Sequence, residues 1–183
     1  MKRALIFPLL FLLSACIDVD MLIDFTGTNE ATATAEMRMA KDFFEMTGQS
    51  VEDACEDGVG ELTETEFVCR VVEGGTIDEI AAGEGGLEME EGLAVERVGD
   101  DQVRVTIDLA DMMGDDDMGG AAEMKEMFEG HAFTFRVRGA EIIESNGEIS
   151  SDGTTASITV PLVDLVDPAV GPGEPFVSLI QLP

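Results

Sequence analysis

The segment DMMGDDDMGGAAEMKEMFEGH, residues 111–131, holds the side chains whose types and spacing come nearest to a binding site. Thioether sulfur and imidazole nitrogen are ligands for Cu(I), and Met124, Met127 and His131 are spaced to share one face of a helix. The simpler interpretation is an acidic loop followed by an amphipathic helix, whose Met124, Met127 and Phe128 pack on a sheet or cover a pocket. We favour this second interpretation, and we predict no bound metal and no cofactor.

The sequence offers little for catalysis. His131 is the single histidine, so any triad that combines it with serine or cysteine must use this residue. The GxSxG pattern of a nucleophile elbow does not occur. Paired carboxylates are uninformative, because 39 acidic residues make such pairs common by chance. We therefore predict that the protein is not an enzyme and that His131 lies at the rim of the core, where a strand begins.

The start of the chain has the three parts of a secretory signal. Two basic residues precede an apolar stretch at residues 4–13, which is shorter than the spanning helix of about 20 residues that a bilayer requires. The apolar stretch ends in LSAC, residues 13–16, which resembles the bacterial lipobox. In a lipobox the cysteine receives a diacylglycerol, and the chain is cut just before it. We predict a lipoprotein signal peptide at residues 1–15 and a membrane anchor on Cys16. The alternative is an ordinary signal followed by an incidental cysteine.

The charge of the chain restricts its partners. Removal of the predicted signal leaves 8 of the 10 basic residues against 39 acidic ones, so the net charge becomes −31. This charge excludes nucleic acid as a partner and repels the folded body from anionic headgroups. We therefore expect a domain in the bacterial cell envelope that faces the periplasm, at the inner or the outer membrane, held there by its lipid.

Two further cysteines, Cys55 and Cys69, lie 14 positions apart, one in a predicted helix and one in a predicted strand. An even number of cysteines in an oxidising compartment indicates a disulfide. Closing a loop of this length stabilises a protein by about 3 kcal/mol. A metal or catalytic pair is the weaker interpretation, since the chain has no CxxC spacing.

Alternation of apolar and polar residues predicts short strands along most of the remaining chain. In HAFTFRVRG, one face carries Phe133, Phe135 and Val137, and the other face carries Thr134, Arg136 and Arg138. Burial on one side favours an antiparallel sheet, and capping signals at Ser50 and Thr76 predict short helices. The predicted fold class is α+β: an antiparallel sheet with a few short helices packed on one face, in a single domain at residues 16–168.

Turn signals divide these strands. Asn146-Gly147 and Asp152-Gly153 are residue pairs suited to turns with positive φ. The last segment, residues 169–183, is a tail rich in Gly and Pro that ends in FVSLIQLP. We predict that this ending is a candidate last strand at a sheet edge.

The stretch GAEIIESNGEISSDGTTASITVPL, residues 139–162, resembles the LppM-type bacterial lipoproteins, which commonly carry a Gly, then Ser-Asn-Gly, then a Gly-containing turn and a final strand. The matching positions are Gly139, Ser145, Asn146, Gly147, Asp152 and Gly153. The resemblance implies an α+β domain and a link to lipid or lipoglycan in the envelope. No binding residue carries over, because the shared motif consists mostly of turn residues.

These observations support a non-enzymatic envelope lipoprotein that binds a lipid or other apolar ligand between the sheet and the Met-rich helix. The pocket candidates are Met124, Met127, Phe128, Phe133 and Phe135. One alternative is an interaction or structural lipoprotein that docks on an envelope protein complex through FVSLIQLP. A weaker alternative is the copper binder that uses Met124, Met127 and His131.

Overall fold

The computed structural model describes residues 17–82, 92–113, 128–165 and 173–183. The predicted signal peptide, Cys16, Met124 and Met127 lie outside these ranges. Within them, no helix is both long enough and apolar enough to cross a membrane.

The described ranges form two sheets and several short helices. The strands are β1 (Ile17–Asp24), β2 (Glu30–Ala40), β3 (Val59–Leu62), β4 (Glu66–Thr76), β5 (Leu93–Val98), β6 (Gln102–Ile107), β7 (Ala132–Arg138), β8 (Glu141–Ser145), β9 (Glu148–Ile149), β10 (Thr155–Pro161) and β11 (Phe176–Gln181). The helices are α1 (Lys41–Thr47), α2 (Val51–Ala54), α3 (Ile77–Ala81), α4 (Leu109–Met113) and α5 (Leu162–Leu165).

The larger sheet has seven strands in the order β3-β4-β2-β1-β7-β10-β9, and the smaller has four in the order β5-β6-β11-β8. Neighbouring strands are antiparallel except β1 and β7, which run parallel near the middle of the larger sheet. The α+β class is therefore confirmed. The expectation of one antiparallel sheet is corrected to two sheets, of which the larger is mixed.

Apolar residues at alternate strand positions form one core between the sheets. Ile23, Phe135 and Val137 from the larger sheet, and Val103 and Ile180 from the smaller, are all 0% exposed. They belong to a single cluster of buried side chains. In β6, β7 and β11 the buried residues are those that the period-two pattern assigns to one face.

A second, smaller cluster lies under α1 and α2. Phe44 of α1 stacks on Phe67 of β4, with ring centroids 4.1 Å apart. The predicted disulfide is present beside them, where it joins Cys55 at the end of α2 to Cys69 of β4. The two predicted capping residues also hold their helices, because Ser50 accepts a hydrogen bond from the Asp53 amide and Thr76 forms a full capping box with Glu79.

The last strand occupies a different place from the one predicted. β11 lies between β6 and β8, so both of its edges are hydrogen-bonded and it is an interior strand, not an edge strand. Phe176, Ser178 and Ile180 are buried along its inner face. The strand itself was readable from alternation, but its neighbours lie up to 79 positions away in sequence, where local patterns carry no information.

The Asn146-Gly147 pair also works differently from the predicted turn. Gly153 has a positive φ of 73°, but Gly147 does not. A Cβ on Gly147 would lie 2.4 Å from the Ser157 carbonyl oxygen and 2.5 Å from the Phe176 ring. The Asn146 side chain donates to the Pro175 carbonyl at 2.9 Å and accepts from the Val177 amide at 2.8 Å. The motif therefore fastens the start of β11 to the rest of the fold.

Candidate functional site

A groove of about 500 Å³ runs along the outer face of the seven-stranded sheet, the face turned away from the core. Its charged lining consists of Asp18 and Asp20 from β1, Glu36 and Arg38 from β2, Arg70 from β4 and Arg136 from β7. We call this feature the outer groove. It follows directly from strand alternation, because these residues alternate with buried or half-buried apolar residues on the opposite face of the sheet.

The charges of the outer groove balance, unlike those of the whole chain. Three carboxylates and three guanidinium groups line it, in a protein with a net charge of −29. A fourth arginine, Arg138, extends the same face and pairs with Asp24. Four of the chain's 10 basic residues therefore lie on one face of one sheet.

Strand register brings these charges together. The Arg38 Nε donates to Glu36 Oε1 at 2.8 Å, and Arg136 donates through Nε and Nη2 to Asp20 Oδ1, the Nε at 3.1 Å. Arg70 lies opposite Glu36 across the β2–β4 pair, with its Nε 3.8 Å from Glu36 Oε2. The carboxylates thereby hold two of the three guanidinium groups in fixed positions.

His131 contacts Asp18, which lines one end of the outer groove. Its Nδ1 lies 3.2 Å from Asp18 Oδ2, and the Asp18 Oδ1 accepts the Ala132 amide at 3.0 Å. The His131 side chain is 10% exposed. It lies just before β7, at the strand start as predicted, but its described side-chain contact is with Asp18 on the outer face and not with the core.

Ion pairing shifts the pKa of charged groups on this face, among them Asp24 and Arg38. Burial by itself raises the pKa of Asp24, but hydrogen bonds from Arg138 and Thr26 outweigh burial, so the pKa lies below its ordinary value of 3.8. The hydrogen bond to Glu36, with its negative charge, raises the pKa of Arg38. Both shifts favour the charged forms that make these pairs.

The opposite face of the same strands carries a partly exposed apolar area. Met21, Phe133, Ile158 and Val160 are only half-buried, although they pack against the core cluster. Phe133 lies opposite Val160 and stacks on Phe135, with ring centroids 4.8 Å apart. We call these four residues the inner patch; Phe135, beside it, is fully buried.

A search against family models finds no match, and a search of curated proteins finds none either. Among solved structures, the NMR structure of the folded domain of LppM from Mycobacterium tuberculosis is similar, with a TM-score of 0.52 and 10% sequence identity. The alignment covers 99% of this chain and 96% of that one. The chain has an LppM-like fold.

The LppM-like fold places the matching motif residues in structural roles. Gly139 and Gly147 allow close contacts with β11 and with Phe176, while Asn146 fastens the start of β11. Ser145 bonds the buried Ser178 hydroxyl at 2.8 Å. The resemblance seen at residues 139–162 therefore holds for the fold, and in this chain these residues occupy packing positions.

The predicted pocket and metal residues are only partly described. Phe128 is half-buried and accepts the His131 amide at its carbonyl, Phe133 belongs to the inner patch, and Phe135 lies in the core. Met124 and Met127 lie outside the described residues, so His131 is the one predicted copper ligand that the structure describes. Within the described ranges, no group of three or more His, Cys, Asp or Glu side chains is placed to hold a metal ion.

The outer groove was missed from the sequence. The alternation of Asp18, Asp20 and Asp24 in β1, and of Arg136 and Arg138 in β7, was visible there. Their juxtaposition depends on the parallel β1–β7 pair, which joins segments more than 100 positions apart. A search for opposite charges at matching strand positions would have found it.

Proposed function

We propose that this chain is a non-enzymatic lipoprotein of the bacterial cell envelope, anchored through Cys16 with its domain facing the periplasm. The lipobox-like LSAC at residues 13–16 and the LppM-like fold support this proposal. The pairing of Cys55 with Cys69 leaves Cys16 as the one cysteine without a partner cysteine, which suits a lipid acceptor. Two or three acyl chains anchor a protein stably, because each buried methylene contributes about 0.8 kcal/mol.

The anchor is tested by growing a bacterial host that expresses the full chain with an alkyne fatty acid. We expect label on the wild-type chain and none on Cys16→Ser, while a Cys55→Ser plus Cys69→Ser variant keeps its label. Label on the Cys16→Ser variant, or its absence from the wild type, would contradict the anchor.

We further propose that the domain binds a lipid or another apolar envelope ligand at the inner patch. The half-burial of Phe133 and Val160, beside the fully buried Phe135, is the observation that carries this proposal. Apolar side chains that pack on the core while still reaching solvent suit a pocket wall. Phe128 lies in the segment that leads into β7. Met124 and Met127, the other predicted pocket residues of this segment, precede it in the sequence.

The ligand proposal is tested on mature chain bearing Cys16→Ser, purified from a bacterial envelope fraction and extracted with organic solvent. Mass spectrometry should find one lipid class in near-stoichiometric amount. Phe133→Ser should lower its recovery about tenfold, whereas Thr159→Ala, on the outer face of the neighbouring strand β10, should leave recovery unchanged. A wild-type chain with no extractable lipid would refute the proposal.

The docking alternative is less favoured by the described geometry. FVSLIQLP contains β11, whose two edges are occupied by β6 and β8 and whose inner residues are buried. A partner chain that added to this strand would first have to displace one of its neighbours. We therefore do not propose the C-terminal strand as a docking segment.

A further inference from the structure

The outer groove is not used by the function proposed above. We propose that it binds a zwitterionic phosphoethanolamine headgroup belonging to phospholipid of the membrane that holds the anchor. The location of this ligand rests on the proposed anchor at Cys16. The chemistry of the groove is independent of the anchor and rests on its balanced charges.

Chain length keeps the outer groove close to the anchor. Asp18 is two residues after Cys16, and an extended chain spans at most about 3.6 Å per residue, so their Cα atoms lie within about 7 Å. Asp20 is within about 14 Å by the same limit. The headgroup layer on one side of a bilayer is about 5–7 Å thick. The end of the groove at Asp18 and Arg38 therefore reaches the headgroup layer when Cys16 is lipidated.

The charges of the groove match a ligand that carries both signs. Arginine forks bind phosphate through paired hydrogen bonds, and carboxylates bind a primary ammonium group. Arg70 is the cation most available to a phosphate: its side chain is 59% exposed, and no hydrogen bond within the described residues uses its guanidinium group. Asp20 lies directly opposite Glu36 across the β1–β2 pair. The described hydrogen bonds to Asp20 all go to its Oδ1. Its Oδ2 can therefore receive the ammonium group.

Ligands of a single sign fit the outer groove less well. An isolated anion would compete with the carboxylates that already bond Arg38 and Arg136, and it would approach a chain of net charge −29. An isolated cation would compete with the guanidinium groups that already bond Glu36 and Asp20, and it would find carboxylates at many other places on the surface. A phosphate and an ammonium group joined by two carbons satisfy both sets at once.

The test titrates soluble phosphoethanolamine into the mature chain bearing Cys16→Ser and monitors backbone amide shifts by ¹H–¹⁵N NMR. Shifts should concentrate at residues 18–20, 36–38 and 132–136. Arg70→Gln should weaken binding about tenfold, as expected for loss of a charge-assisted pair. The control is Arg104→Gln: Arg104 is also about half-exposed and pairs with Glu96 at 3.3 Å, but it lies on the smaller sheet. The affinity of Arg104→Gln for phosphoethanolamine should stay within about twofold of the wild type.

Glycerol phosphate and ethanolamine, which each carry one sign of charge, should both bind about tenfold more weakly than phosphoethanolamine. Equal binding of glycerol phosphate would overturn the zwitterion proposal in favour of a plain anion site. A titration without shifts in the groove would overturn it outright. Shifts that survive Arg70→Gln unchanged would also overturn it.

A second arm tests the membrane source of the ligand. Mature chain is coupled through Cys16 to maleimide lipid in vesicles, which works because the disulfide leaves Cys16 as the sole free thiol. Amide exchange at residues 132–136 should be slower on phosphatidylethanolamine vesicles than on phosphatidylglycerol vesicles. Equal exchange on both would overturn the membrane assignment. Neither arm depends on fatty-acid labelling or lipid extraction, so failure here is distinct from failure of the proposed function.

Discussion

The two faces of β1 and β7 show how one pair of strands serves two purposes. On the inner face Ile23, Phe135 and Val137 are completely buried between the sheets. On the outer face Asp20 and Arg136, from the same strands, make an exposed ion pair in the outer groove. The inner residues account for the hydrophobic stabilisation of the sheet, while the outer pairs contribute little to it. Side chains that stability does not require are the ones free to bind a ligand.

The largest expected effect comes from removing an inner aromatic side chain. Phe135→Ala should destabilise the protein by about 3–5 kcal/mol, because it leaves a cavity at a position that is 0% exposed. Thr134→Ala, one residue away on the outer face, should cost about 0.5 kcal/mol or less. Urea unfolding of both variants measures the contrast. Similar losses for the two would break the division between the faces.

A smaller loss of stability is expected from adding a side chain at Gly139, where the inner face has no room for one. Gly139 follows β7 on the inner face, and a Cβ there would lie 2.2 Å from Ile180 Cγ2 and 2.9 Å from the Gln181 carbonyl oxygen. Gly139→Ala should therefore cost about 1–3 kcal/mol.

The control is Gly74→Ala on β4, where the nearest atom would be 3.4 Å from the new Cβ. Its free energy of unfolding should stay within about 1 kcal/mol of the wild type. Equal midpoints in urea for Gly139→Ala and the wild type would show that β11 can move away without loss.

The smallest expected effect concerns an ion pair of the outer face and depends on pH. Because the folded pKa of Asp24 lies below 3.8, its stabilisation is present above about pH 4 and is lost as the pH falls through the folded pKa. Asp24→Asn should cost about 0.5–1 kcal/mol near neutral pH, a range that allows for solvent screening of the partner Arg138.

Urea unfolding across the acidic range measures this difference. The stability gap between wild type and Asp24→Asn should close toward about pH 2. Asp57→Asn, at an exposed position away from the sheet face, should show no comparable gap near neutral pH. A gap for Asp24→Asn that is constant with pH would rule out the carboxylate charge as its origin.

Local features of the fold were predictable and long-range ones were not. The hairpin of β5 and β6 was readable because its strands are adjacent and Gly99, with a φ of 74°, marks the turn. The disulfide followed from counting cysteines. The division into two sheets rests on contacts between distant segments, above all the parallel β1–β7 pair and the insertion of β11 between β6 and β8.

The candidate sites follow the same rule. The opposed faces of β7 were predicted, so Phe133 and Arg136 were assigned to opposite sides from alternation alone. The partner of Arg136, Asp20, became evident only with the strand register. Gly147 shows the remaining limit: its type suggested a turn, but its role is to admit the Phe176 ring, which no local pattern reveals.

The interior position of β11 has a consequence for biogenesis. The smaller sheet cannot close until Phe176–Gln181 is available, because this strand separates β6 from β8. Phe176–Gln181 follows all the other described strands along the chain, so β6 and β8 are synthesised before the strand that joins them. The smaller sheet is therefore completed only after β5, β6 and β8 have been made.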